Sequence, residues 1–152
     1  MDLRSRLEQD MKDALRQQDR VRLGTIRMLR AAIQNADIAS GRRLDDQGIV
    51  EVLARELKLR RESLDEYRRA GRAEQAAQLE REIQVVQGYL PEPLSEAEIT
   101  DLARRIIAET GAAGPQDMGR VMGQLMPRVK GRADGNVVGR IVREELARRQ
   151  AN

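Results

Sequence analysis

Y-L-P-E-P-L-S-E-A-E, running from Tyr89 to Glu98, is the stretch whose reading divides the chain. Pro91 and Pro93 cannot continue a helix. Each lacks a backbone N–H and biases the residue before it toward extended backbone. Just beyond them, Ser95 and Glu98 have the Ser-x-x-Glu spacing of a capping box, which opens a new helix. The chain is therefore expected to have an N-terminal helical domain over 1–90, a proline-containing linker over 91–94 and a C-terminal helical domain over 95–152.

Upstream of the prolines the apolar residues recur at helical spacing. Leu3, Leu7, Met11 and Ala14/Leu15 make one stripe. A second helix starts near Asp19, turns Leu23, Ile26, Leu29, Ile33 and Ala36 inward, and ends at Ser40-Gly41. A third starts at Asp45/Asp46, carries Val50, Leu53, Leu57, Leu64 and Tyr67, and stops at Gly71. A fourth carries Ala73, Ala76, Leu79, Ile83, Val86 and Leu90. Val50, Leu57 and Leu64 are seven apart, but Arg60 interrupts the seam, which favours a helical hairpin inside a bundle over a dimeric coiled coil. Downstream, a fifth helix runs from Ser95 to Gly111, a sixth over about Asp117–Met126 and a seventh over about Gly135–Arg149. Strand-like alternation is absent. The predicted fold is all-α: a four-helix, hairpin-containing bundle followed by a small three-helix domain.

Composition removes several kinds of chemistry. The 152 residues include no Cys and no His, so thiol catalysis, disulfides and the commonest general base are excluded. None of Lys12, Lys58 and Lys130 stands in a Ser-x-x-Lys arrangement with a serine. Pairs such as Asp45/Asp46 and Glu144/Glu145 read as solvated charge at helix ends and on exposed faces. Neither a catalytic residue nor a metal or cofactor site is expected. With no Phe or Trp, and only Tyr67 and Tyr89, the chain lacks a platform for stacking bases. The polar start M-D-L-R-S-R-L-E-Q-D, and the lack of any apolar run near the roughly 20 residues of a membrane span, predict a soluble, cytoplasmic protein.

Charge is uneven along the chain. From Pro115 onward eight basic residues face four acidic ones, a local +4 within an overall +3. This segment holds D-M-G-R-V-M-G-Q-L-M-P-R-V-K-G-R-A-D-G, from Asp117 to Gly135. Met118, Met122 and Met126 recur every four residues and read as core. Gly119 and Gly123, each costing about 1 kcal/mol inside a helix, imply a close approach. The favoured approach is another helix, through Gly139; the alternative is a nucleic-acid backbone on the outside. The turn Lys130-Gly131-Arg132-Ala133-Asp134-Gly135 lacks the ending of a P-loop. Asp134 reads as the N-cap of the last helix, so anion contacts fall to the flanking side chains and would be backbone-directed.

Gly119 to Gly135 resembles the shared motif of the GatB/YqeY group, and the whole chain, including Y-L-P at Tyr89–Pro91, is similar to a full-length YqeY-type protein. The resemblance implies that the last third is similar to the tail domain of GatB, the subunit of the tRNA-dependent amidotransferase, and holds tRNA. By position, Arg128, Lys130, Arg132, Arg140 and Arg143 would face tRNA, with Gly119, Gly123, Gly131, Asp134 and Gly135 shaping the surface. The family label of carbon-nitrogen ligase with glutamine as amido donor has no support in the residue inventory, so a tRNA-binding accessory protein is expected. The alternatives are a subunit active only in complex with amidotransferase or aminoacyl-tRNA synthetase proteins, and a helical protein-interaction adaptor.

Overall fold

The computed structural model describes residues 1–152 and contains seven α-helices and no strands. In chain order these are α1 (Leu3–Arg16), α2 (Arg20–Ser40), α3 (Asp46–Arg69), α4 (Ala73–Gln87), α5 (Glu96–Thr110), α6 (Met118–Val129) and α7 (Gly135–Ala151), with a 3-10 turn at Pro115–Asp117. Five of the helices, all but α4 and α6, begin where a short polar side chain takes an unsatisfied N–H. Asp2 accepts from Ser5 N, Asp19 from Arg22 N, Asp45 from Gly48 N and Ser95 from Glu98 N. Residues 1–91 and 92–152 form two compact units.

In the first unit α2 packs against each of the other three helices. Its core is built from Leu7 on α1, Ile26, Leu29 and Ile33 on α2, Ile49, Val52, Leu53 and Leu57 on α3, and Val86 with Tyr89 at the end of α4. Two expectations need correction. Leu15 is 58% exposed, and Ala14 alone fills the end of the α1 stripe. On α3 the inward line runs through Ile49 rather than Val50, and continues through Leu53, Leu57, Arg60 and Leu64. Steps of three and four residues keep these side chains on one face of the helix.

Arg60 thus lies inside the hairpin, 7% exposed. Its guanidinium is 3.3 Å from Glu56 one turn back and 3.3 Å from Glu82 on α4. The chain after α4 is held to α1: the Tyr89 hydroxyl donates to Asp10 at 2.5 Å and the Arg6 guanidinium lies 4.7 Å from the ring centroid. Burial, aided by the Asp10 hydrogen bond, raises the phenol above its ordinary pKa. Tyr89 therefore ends the first unit just ahead of the two prolines.

At the other end of the α1–α2 pair, Arg4 donates two hydrogen bonds to Asp37, at 2.7 and 2.9 Å, and one to the Leu44 carbonyl. Leu44 N donates back to Asp37 at 2.8 Å. The Arg4 hydrogen bonds, then the Leu44 N–H, lower the Asp37 carboxyl below its ordinary value. A carboxyl lowered in the folded state contributes stability that is complete above the unfolded pKa of about 3.9 and is lost as pH falls through the folded one. The stability difference between wild type and D37N, followed by urea unfolding, should be constant near neutrality and shrink below about pH 4.

Candidate nucleic-acid interface

The second unit packs α5, α6 and α7 around Ile99, Ala103, Ile106, Val121, Leu125, Val129, Val138, Val142 and Leu146. On α6 the fully buried line is Val121, Leu125 and Val129. The three methionines flank it, partly buried against the same core. Gly139 of α7 is buried, and a Cβ there would lie 3.7 Å from the Met118 methyl and 4.0 Å from that of Met122. Close helix packing therefore exists in this unit, but it is methionine against Gly139.

Gly119 and Gly123 take no part in it, which corrects the expected packing. Both are exposed, and a Cβ on either would meet nothing within 4 Å. The geometry follows from α6 itself: positions two before and two after Val121 lie about 200° around a helix, on the opposite side. The helix also runs one turn past its expected end at Met126, because Val129 fills the core. Pro127 sits inside that last turn and has no N–H to give the carbonyl of Gly123, four residues earlier. The outer face of α6 thus presents bare backbone at two glycines and a carbonyl oxygen without its usual helical donor. Exposed Arg120, which pairs with Asp117 at 3.3 Å, and exposed Arg128 border this strip.

The basic turn is pinned from both sides. Gly131 has φ +78°, a left-handed conformation suited to glycine. Arg132 N donates to Val129 O, Leu94 N donates to Arg132 O, and the Arg132 side chain donates to Glu92 O at 2.9 Å. Asp134 caps α7 by accepting from Asn136 N at 2.8 Å, with Gly135 the first helical residue. The carboxylate occupies the anion position at that helix end.

The five basic residues expected to face tRNA differ in their commitments. Arg128 and Arg143 are exposed and form no ion pair, and exposed Lys130 stands at the turn. Arg132 is tied to the segment before α5. Arg140 is paired with Glu96 of α5 and lies 3.5 Å from Glu144, and the Glu96 hydrogen bond raises its guanidinium above the ordinary value. Helix α5 supplies carboxylates that the linear segment from Pro115 lacks. Residues 92–152 hold ten basic and nine acidic side chains, a net +1, so the +4 of the linear segment is largely offset within the folded unit. The Pro127–Gly123 relation, readable in principle from a proline four residues after a glycine, is the feature that residue-type reasoning missed.

The family model for YqeY-like proteins matches residues 4–146. "Altered inheritance of mitochondria protein 41, mitochondrial" from Pyrenophora tritici-repentis is 31% identical over 142 residues, covering 91% of this chain and 78% of that protein. The proteins of the same name from Lachancea thermotolerans and Eremothecium gossypii are 30% and 33% identical. Those matches cover 76% and 68% of this chain but only 63% and 57% of the respective relatives. No helix of the structure is long and apolar enough to cross a membrane. A seven-helix chain matched from residue 4 to residue 146 belongs to the YqeY-like protein family.

Proposed function

We propose that this YqeY-like protein is a tRNA-binding accessory protein related to glutamine-dependent amidation of mischarged tRNA, with no catalysis of its own. The observation that carries this reading is the open face of α6. Gly123 inside the helix, and to a lesser degree Gly119 in its first turn, cost helix stability, yet nothing in their own unit uses the space they leave. A backbone-directed ligand does use it, because phosphates and riboses can approach a helix lacking Cβ atoms while Arg128 and Lys130 meet the charge. The Gly123 carbonyl can accept from a ribose 2′-OH, which favours RNA over DNA. The choice of tRNA rests on the resemblance, read from the residues Gly119 to Gly135, to the GatB tail. Amidotransferase or aminoacyl-tRNA synthetase proteins are the partners that reading implies. Cytoplasmic residence is part of the same proposal for this chain, while the names of its relatives assign those proteins to mitochondria.

The test is the variant G119A/G123A, in which stability and binding should move in opposite directions. Alanine at the interior position 123 should raise stability by about 1 kcal/mol, with a smaller gain at 119 in the first turn. Affinity for tRNA should fall roughly tenfold, the equivalent of about 1.4 kcal/mol. A more stable variant with unchanged tRNA affinity would remove the observation on which the reading stands.

A further inference from the structure

An open groove of about 920 Å³ lies between α1 and α2, with the loop after α2 at one end. Five arginines line it: Arg4, Arg27, Arg30, Arg42 and Arg43. Two carboxylates share the lining, Glu8 and Asp37. Asp37 is attracted to Arg43 as well as to Arg4. Asp37 accepts both Arg4 and Leu44 N, and Glu8 lies 3.8 Å from Lys12. Arg27, Arg42 and Arg43 are exposed and form no ion pair. Arg30 has the Met11 sulfur, a weak acceptor, as its partner at 3.0 Å. The lining therefore carries a net +3, of which Asp2 and Asp37 screen part at Arg43 while Arg27 and Arg42 have no carboxylate in ion-pair range.

The rim is built on a firm base. Gly41, at φ +69°, turns the chain at the end of α2, and Arg42 N donates to Asp37 O. The Arg4–Asp37–Leu44 hydrogen bonds then hold the loop backbone from which Arg42 and Arg43 project. Arg27 and Ile38, both lining residues, are eleven positions apart on α2, about 16 Å of helix. A duplex carries one phosphate per strand for about every 3.4 Å of its axis, so a groove of that length is long enough to meet several.

We infer that this groove is a second anion site, one that takes the phosphate backbone of a nucleic acid through Arg27, Arg30, Arg42 and Arg43. Guanidinium groups give phosphate oxygens paired, planar hydrogen bonds. No aromatic side chain lines the groove, so bases have nothing to stack on and the contact is indifferent to sequence. An acidic peptide is the competing occupant and fits less well. Its binding would need buried apolar anchors, whereas Leu7 and Ile33 are sealed in the core, and Ala31 and Ile38 are the other apolar side chains of the lining. The groove lies wholly in residues 1–91 and does not depend on the reading of the α6 face.

The experiment uses the full chain, a labelled 20-base-pair DNA duplex and tRNA, titrated at several salt concentrations. The variant R27Q/R42Q/R43Q changes three exposed side chains and should keep the wild-type melting midpoint. It should lose roughly 100-fold or more in duplex affinity at about 50 mM salt, and its log–log salt slope should shrink by about 2 to 3. G119A/G123A should leave duplex binding unchanged, so failure of the tRNA reading and failure of this one are separable. Unchanged duplex affinity in the triple variant would overturn the inference. So would polyglutamate competing as well as the duplex at equal charge, which would mark the groove as an acidic-protein surface.

Discussion

Replacing Arg60 with alanine should lower the stability of the first unit by about 3–5 kcal/mol, the cost of breaking a buried ion pair from one side. The guanidinium is 7% exposed, and the Glu56 and Glu82 side chains it serves are only 20% and 16% exposed. Its removal leaves Glu82 inside the hairpin without its cation and also deletes the packing of the aliphatic stem. The ion pair need not itself be the source of stability, since well-packed apolar replacements of such pairs often cost little. R60M/E82M should therefore lose markedly less than R60A, because Glu56 can turn toward solvent on its own helix while Glu82 is no longer present to be stranded. Urea unfolding of the three proteins checks this. Equal losses in R60A and R60M/E82M would contradict a cost that arises from the stranded charge.

The same residue illustrates what could be read in advance. That Arg60 interrupts an apolar seam is visible along α3. Its burial is not, because half of its neutralisation comes from Glu82, a residue 22 positions away on the other arm of the hairpin. Helix starts were legible because they are local: Asp19, Asp45, Ser95 and Asp134 each lie within three residues of the N–H they accept. The end of α6 was not, since the local signal of Pro127 is overridden by the demand of the core for Val129. The glycines of α6 were recognisable as a cost, but which side they face depends on Val121 and Leu125 being the inward residues, with the methionines beside them. Charge was the least transferable quantity. The basic excess after Pro115 meets Glu96 only once α5 is folded against α7. The arginine groove forms only when Arg4 of α1 is brought beside Asp37 of α2.

Reversal of Arg128 and Lys130 to glutamate should produce the largest loss of tRNA binding. Both side chains are exposed at the end of α6, and neither contributes to the core. Arg132 is the poorer target, because its carbonyl and side chain hold the segment around Leu94. If the surface uses about four phosphate contacts, wild-type affinity should fall with a log–log salt slope near −3 to −4, roughly 100-fold between about 50 and 200 mM. Removing two contacts takes about 2 from that slope, and at about 50 mM salt the counterion term alone amounts to roughly 100-fold. Any repulsion from the new carboxylates adds to that loss.

The most direct measurement is therefore an anisotropy titration of labelled tRNA with wild type and R128E/K130E, at about 50 and 200 mM salt. The C-terminal surface predicts saturable binding by wild type, a steep loss with salt, and a roughly 100-fold weaker variant with a flatter slope. Absence of tRNA binding by wild type at the lower salt, or equal affinity and equal slope for the two proteins, would contradict it.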